Sequence, residues 1–429
     1  MRICVYTLGC RLNQCESEAL ADSFAREGFD VVREEEGAEL YIVNTCTVTA
    51  KAEQKARRMI RLFSSRAQAV VVTGCYAQMA QQELESLGGN IMVVPLVKKA
   101  SLLKLAGHLR AAMSCTVDLV SALRSFVEPD STVFDYSAGS FSYHSRAYLK
   151  VQDGCDNNCG YCRVHIARGP SVSLGRDEVI RRALELEAAG FSEIVLTGVN
   201  LTMYDHEGEG LGGMMLDLIP RLSPSTRLRL SSMEPDHIDS RLIEAVSSPA
   251  VHPHFHIPLQ SASDRVLARS SRNYDRKHLE WVLDSLRRVK DDPFLACDVI
   301  AGLPAEGEEE FLITYSFLKD HGFAALHVFP FSPRPGTALY GARDRCEERV
   351  RDERAARLRK LSDELGAAYQ ARQTGRTLEV LLESRRNGLW RGTTGNYLKV
   401  EVEEAPAFCT RGQIISGVLT APGRLSALR

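Results

Sequence analysis

The chain has 429 residues, 44% of them hydrophobic, and a formal net charge of −2. That length exceeds one ordinary core and predicts roughly two to four domains. The near-neutral charge excludes a chain that binds nucleic acid by overall basicity, so any RNA contact must come from local patches. No apolar run approaches the roughly 20 residues of a membrane span, and the opening MRICVYTLGC lacks the features of a signal peptide. A cytoplasmic location without membrane attachment is expected. Twelve cysteines in such a compartment predict metal ligands rather than a disulfide framework.

Residues 1–112 alternate apolar runs with helical patterns. Strands are expected at Ile3–Thr7, Leu40–Asn44, Ala69–Thr73 and Ile91–Leu96, and helices at Glu16–Glu27, Ala50–Phe63 and Gln78–Leu87. This rhythm predicts a parallel sheet covered by helices. Cys10, Cys46 and Cys75 each fall just past a strand end. Ligands of open α/β sheets bind beyond the carboxyl ends of the strands, so a shared site of three thiols is expected. Cys4, inside the first strand, and Cys15, at the start of a helix, read as structural. Residues 113–142 have mixed composition and no steady period, and read as a linker.

Residues 143–374 open with an apolar strand, Ala147–Val151, followed by the loop Gly154–Cys162. Cys155, Cys159 and Cys162 stand there at a C-x3-C-x2-C spacing. The same spacing fits one stripe of a helix, but Asp156, Asn157, Asn158 and two glycines are turn formers. A turn-rich loop with three thiols suits a metal. Structural zinc usually takes four ligands, and a 4Fe-4S cluster usually takes four cysteines; three leave one position open. Strands then recur at Glu193–Leu196, Leu228–Ser231, His254–Ile257, Leu295–Ile300 and Ala325–Phe329, with helices at Asp177–Ala189, Arg276–Val289 and Glu308–Lys319. Six β/α units predict a parallel barrel, complete or partial, with chemistry at the strand ends. Polar and glycine residues gather at those ends: Gly198, Asn200, Ser231, Ser232, Glu234, Gln260 and Gly302, with Arg334 in a final Pro/Gly turn. The Arg- and Glu-rich stretch Tyr340–Ala371 reads as a solvated helix bracing this domain.

Residues 375–429 change to short alternating strands, Leu378–Leu382, Leu389–Gly392, Tyr397–Val402 and Gln413–Leu419, separated by turn signals such as Asn387-Gly388. They predict a small antiparallel barrel. Arg385, Arg386, Arg391 and Lys399 on it are candidate contacts to an RNA backbone. The expected fold is thus α/β: an N-terminal parallel sheet domain, a central partial (β/α)6 barrel and a C-terminal antiparallel β-barrel.

In order along nearly the whole chain, TLGCRLNQ, VNTCTVT, GCYAQ, VQDGCDNNCGYC, TGVN, SSMEP, PLQSASD and FPFSPRPGT resemble the radical S-adenosylmethionine methylthiotransferases. The last segment resembles their TRAM domain. TLGCRLN and NTCTVT are most similar to the branch that modifies N6-threonylcarbamoyladenosine in tRNA. The resemblance implies two 4Fe-4S clusters. Cys155, Cys159 and Cys162 would hold one, whose open iron takes S-adenosylmethionine and yields a 5′-deoxyadenosyl radical. Cys10, Cys46 and Cys75 would hold an auxiliary cluster carrying the sulfur, to which a second S-adenosylmethionine gives a methyl group. The strand-end residues above would bind S-adenosylmethionine. The implied reaction installs a methylthio group at C2 of the adenosine at position 37. The implied partners are the tRNA anticodon loop, an electron donor such as flavodoxin or ferredoxin, and a sulfur source, with the enzyme acting as a monomer.

Three departures stand out. Arg163-Val164-His165 replaces the family's usual Ile-x-Pro, GPSVSLG after Arg168 lacks a second arginine, and Cys15 stands where Tyr is usual. The first two bear on the substrate face. The alternatives are the same chemistry on isopentenyladenosine or on a ribosomal-protein aspartate, and a non-catalytic RNA-binding protein with structural metals.

Overall fold

The computed structural model describes residues 1–136 and 145–428. It divides into two compact units. The first holds the N-terminal residues together with 153–156 and 162–172; the second holds 145–152, 157–161 and 173–428. The expected domain start at Tyr143, and Arg429, lie outside the described residues.

In the first unit a five-stranded parallel sheet is built from β1 (Arg2–Thr7), β2 (Asp30–Val31), β3 (Leu40–Thr45), β4 (Ala69–Gly74) and β5 (Ile91–Val93), in the order β2-β1-β3-β4-β5. β3 and β4 are buried along their whole length, as expected of parallel strands covered on both faces. One face carries Ile3, Leu20, Phe24, Ile42 and Val71, the other Tyr41, Val43, Ile60, Phe63 and Val72. The helices α1 (Arg11–Arg26) and α2 (Ala50–Ser64) cross between strands. Thr49 caps α2 by accepting from the Ala52 N–H.

Two sequence expectations change here. The helix expected at Gln78–Leu87 is two short ones, α3 (Cys75–Met79) and α4 (Gln81–Glu85), separated by Ala80 outside helical geometry. The domain also does not end at Ala112. After α5 (Leu105–Ser114), the supposed linker forms α6 (Leu119–Arg124). Its Leu119, Ala122 and Leu123, with Phe126, are buried in the same core as Ile3 and Phe24. Their i, i+3, i+4, i+7 spacing is that of a helix face, but it covers only about two turns, too short a stretch to separate from a loop.

In the second unit six parallel strands stand among the described residues: Ala147–Lys150, Glu193–Thr197, Arg227–Leu230, His254–Gln260, Phe294–Ala301 and Ala325–Pro330. The first three form one sheet and the last three another. Single bridges, Leu228 with Val251 and Ser232 with His256, join them. The result is the open (β/α)6 barrel expected. The bracing helix runs Glu348–Gln373 and buries Leu358, Leu361 and Tyr369.

The C-terminal segment closes into a five-stranded barrel among the described residues. It uses Thr377–Arg386, Leu389–Thr394, Lys399–Glu403, Ile414–Ala421 and Arg424–Ala427. The last of these has no counterpart among the expected strands; only four residues long, it pairs in parallel with Lys399–Glu403. The core of this barrel, including Val380, Leu382 and Leu419, is continuous with Phe294 and Tyr369 of the central domain. A buried ion cluster stands beside it. Arg229 donates to Glu193 at 2.8 Å and to the carbonyls of Gly395 at 3.0 Å and Thr394 at 3.3 Å. Arg146 and His252 also face Glu193.

Candidate functional site

Cys10, Cys46 and Cys75 follow β1, β3 and β4, which are neighbours in the sheet. Parallel neighbours lie about 4.8 Å apart, so three cysteines remote in sequence leave the same edge together. Thr7 is in register with Asn44, and Asn44 with Thr73. Glycines make the approach possible. Gly74 has φ +99, and a Cβ there would lie 2.4 Å from the Thr45 carbonyl oxygen. Gly9 has φ +107, and its Cβ would lie 3.0 Å from Cys46 Sγ. Only glycine serves at such positions.

Burial, and then the nearby Cys10 and Cys75, push the Cys46 thiol up to about 12. Burial raises Cys75 as well, against the Arg168 guanidinium. Cys10 is the N-cap of the 16-residue α1, where the helix's positive end favours a bound anion. Arg168 donates to Asp153 at 2.9 Å, to Asn13 Oδ1 at 2.9 Å and to Glu16 at 3.2 Å. Lys99 is ion-paired with the other Glu16 oxygen and donates to Asn44 Oδ1 at 2.8 Å. Asn13 in turn donates to the Leu8 and Thr45 carbonyls at 2.7 and 3.2 Å. This network holds the loops that carry the thiols. Three thiols near two buried cations fit an anionic iron–sulfur cluster with one iron left open.

The C-x3-C-x2-C loop is irregular, as its turn residues require. Cys155 and Cys162 belong to the first unit and Cys159 to the second. In the first unit, the Cys155 N–H donates to Gly169 O at 3.1 Å, and Cys162 Sγ accepts from the Val164 N–H at 3.3 Å. Gly154 has φ +71, and a Cβ there would overlap Pro170 O. In the second unit, Arg272 donates to Cys159 Sγ at 3.1 Å and is ion-paired with Glu234. Its guanidinium also lies 4.8 Å from the Tyr274 ring centroid. Burial raises the Cys159 thiol, and Arg272 opposes that shift. The Gly160 N–H donates to Ser270 O at 2.9 Å, and a Cβ on Gly160 would sit 2.9 Å from Leu339 Cγ. Hydrogen bonds to sulfur favour a thiolate ligand, so these donors also suit a cluster.

The strand-end residues have different surroundings. Ser231 Oγ is buried with no partner among the described residues. Ser232 Oγ lies 2.6 Å from His256 Nδ1. Asn200 is buried, its N–H donating to Gln152 Oε1 at 2.9 Å, and Gly198 is packed against the same glutamine. Gln260 is buried at φ +63. Gly302 has φ +79, and a Cβ there would lie 2.6 Å from Arg351 Cγ and 3.2 Å from Cys346 Sγ, so backbone conformation and packing both favour glycine. On the C-terminal barrel Arg391 is paired with Glu401 at 2.7 Å and Lys399 with Glu383 at 3.4 Å. Arg385 and Arg386 are exposed beside the Asn387-Gly388 turn. Sequence reasoning missed Arg272, Lys99 and Asn13. No local pattern marks them, since their partners are remote in the chain.

A six-stranded parallel barrel with a three-thiol loop just past its first strand defines the radical S-adenosylmethionine class. Residues 149–318 match the family described as the Radical SAM superfamily, and residues 2–94 match the uncharacterized protein family UPF0004. Among solved structures the fold is similar to the radical S-adenosylmethionine methyltransferase TsrM from Kitasatospora setae. The TM-score is 0.56 at 13% identity, covering 79% of this chain and 77% of that one. Two curated relatives are called threonylcarbamoyladenosine tRNA methylthiotransferase MtaB. The one from Treponema pallidum (strain Nichols) is 37% identical, covering 93% of this chain and 94% of the relative. That from Bacillus subtilis (strain 168) is 34% identical, covering 93% and 89%. The chain belongs to this MtaB family.

Proposed function

We propose that this chain is a tRNA methylthiotransferase that exchanges the C2 hydrogen of N6-threonylcarbamoyladenosine, at position 37, for a methylthio group. The observation that carries the reading is the gathering of Cys10, Cys46 and Cys75 on three adjacent strand ends, in a chain that also carries the C-x3-C-x2-C loop. Two trios, each one ligand short of a full set, suit two 4Fe-4S clusters with an exchangeable position apiece. When bound, the clusters supply the electron that opens S-adenosylmethionine and the sulfur that is transferred.

The chain's own residues hold and orient. Cys10, Cys46 and Cys75 would hold the auxiliary cluster, and Arg168 and Lys99, paired with Glu16 and Asp153, brace the loops that carry them. Cys155, Cys159 and Cys162 would hold the other, with Arg272 donating to the Cys159 sulfur. Ser231, whose hydroxyl is buried and unpartnered among the described residues, with Ser232, Glu234, Gln260 and Asn200, lines the S-adenosylmethionine site. Gly198 keeps that wall close to Gln152. Arg385 and Arg386 contact the tRNA backbone, while Arg391 and Lys399 contribute less because acids already pair them. An unpaired anticodon-loop base costs little to bring to such a site. A low-potential electron donor of the flavodoxin or ferredoxin kind and a sulfur source complete the system in the cytoplasm. No helix among the described residues is long and apolar enough to cross a membrane.

Nucleoside mass spectrometry of tRNA from a deletion strain tests the reading. The methylthio-threonylcarbamoyl nucleoside should vanish and its unthiolated precursor accumulate. Persistence of the product in a strain without a paralogue would refute the substrate, and loss of a methylthio-isopentenyl nucleoside instead would reassign it.

A further inference from the structure

Three side chains of the central barrel have no part in the thiol loop or the cosubstrate wall: His256, Asp298 and His327. They stand on the adjacent strands His254–Gln260, Phe294–Ala301 and Ala325–Pro330. Alternate residues of a strand share a face. His254 shares that of His256, and its ring lies 4.1 Å from Tyr397 of the C-terminal barrel and 5.5 Å from Phe294. Phe294 in turn shares the face of Asp298. This face is therefore the barrel interior, closed at one end by the C-terminal domain. Asp298 and His327 are register partners.

The three groups form one chain of hydrogen bonds that begins at Ser232. Ser232 Oγ lies 2.6 Å from His256 Nδ1, and His256 Nε2 lies 2.9 Å from Asp298 Oδ1. His327 Nδ1 reaches the same oxygen at 3.2 Å. Burial pushes the Asp298 carboxyl up, but the bonds from both imidazoles outweigh it and hold the group well below the usual carboxylate range. A carboxylate only accepts, so both ring nitrogens that face Asp298 carry hydrogen. In a neutral His256 the lone pair is then at Nδ1, where it accepts from the Ser232 hydroxyl. In a neutral His327 the remaining nitrogen, Nε2, is an acceptor. His327 is 54% exposed, and Nε2 has no protein partner among the described residues. With both rings neutral, these bonds fix the tautomers and leave His327 Nε2 as the acceptor at the end of the chain.

We propose that His327 is a specificity-determining residue, its Nε2 accepting a hydrogen bond from an N–H or O–H on the substituent that the substrate adenosine carries at N6. The proposal rests on the substrate reading above. A threonylcarbamoyl group offers a ureido N–H and a hydroxyl; an isopentenyl group is hydrocarbon and offers neither. A site built around a fixed polar atom rejects ligands that leave it unpaired. Asp298, His256 and Ser232 are positioning residues that hold the His327 ring and its tautomer, as outer partners orient a functional imidazole.

The test compares reconstituted wild type, His327→Leu and His327→Gln on two versions of one tRNA, with threonylcarbamoyladenosine or with unmodified adenosine at position 37. Each kcat/KM is divided by that protein's substrate-free cleavage of S-adenosylmethionine, which removes differences in cluster loading. Wild type should prefer the modified tRNA. His327→Leu should lose about tenfold to a hundredfold on it, chiefly through KM. His327→Gln, whose amide oxygen accepts, should recover most of that loss. An unchanged preference in His327→Leu overturns the proposal. So does one equivalent of a non-iron divalent metal in wild type that is absent from Asp298→Asn. The candidate ligand atoms of His256, Asp298 and His327 lie within 4.8 Å of one another, and a metal there would require lone pairs where hydrogens are assigned. No turnover of the modified tRNA by wild type would overturn the substrate reading, and the proposal with it, before any variant is compared.

Discussion

Arg168 and Glu16 form an ion pair at 3.2 Å with side chains only 2% and 1% exposed, although 152 residues separate them. Arg168 is the arginine after which the sequence departs from its family. Its guanidinium is already occupied by Glu16, Asp153 and Asn13. It therefore serves the framework beneath the Cys10, Cys46 and Cys75 loops.

Removing that guanidinium takes its cation from the buried Asp153 and leaves Glu16 with Lys99 alone. Arg168→Met should destabilise the first unit by about 3–5 kcal/mol, read from denaturant unfolding of the iron-free protein. Arg168→Lys keeps the charge but loses the forked geometry and should cost less. Equal stability of Arg168→Met and wild type would remove the framework role.

The two thiol trios should load independently. Replacing Cys10, Cys46 and Cys75 together by alanine, or Cys155, Cys159 and Cys162 together, should each leave about four irons of about eight. Colorimetric iron and labile sulfide report the count after anaerobic reconstitution. A variant of either trio that loses all iron would contradict separate sites.

Gly74→Ala places a methyl 2.4 Å from the Thr45 carbonyl oxygen at φ +99. Strain of about 1–3 kcal/mol, and displacement of the adjoining Cys75, should follow. The expected signature is loss of about four irons with circular dichroism unchanged. Full iron content would show that the turn yields without moving the thiol.

His252 carries a pH dependence. Burial, aided by the charge of Arg229, lowers its pKa in the folded chain against the pull of Glu193. The unfolded chain then binds a proton below its own pKa of about 6.5 while the folded chain does not. Stability from this group is full above that pH and declines as the pH falls. Melting temperatures at pH 7.5 and 5.5 should differ less in His252→Gln than in wild type.

On the C-terminal barrel the four basic residues should separate. Arg385→Ala with Arg386→Ala should weaken tRNA binding and flatten its log–log salt dependence by about 0.7–0.9 per lost contact. Arg391→Ala with Lys399→Ala should do less, because Glu401 and Glu383 already neutralise them. Filter binding across a salt series distinguishes the pairs.

The amino-acid sequence by itself determined the order of the three folds, the strand ends and the six thiols. Each depends on local information. The period of an apolar run selects strand or helix, and Asp156, Asn157 and Asn158 in succession between two glycines disfavour a helix. It did not mark α6, whose helical spacing of apolar residues covers only about two turns, nor the four-residue strand Arg424–Ala427, which is fixed by its pairing with Lys399–Glu403 and Ile414–Ala421. The tertiary structure decided what lies beside what. Cys10, Cys46 and Cys75 leave one edge of the sheet because β1, β3 and β4 are neighbours in it, an order that local periodicity does not encode. Arg272 reaches Cys159 across 113 residues, and His256 reaches Asp298 across 42. Such pairs form because burying a charge or a hydrogen-bonding group without a partner costs more than ordering the chain that brings one. That constraint acts on the folded chain as a whole and leaves little trace in any short stretch of it.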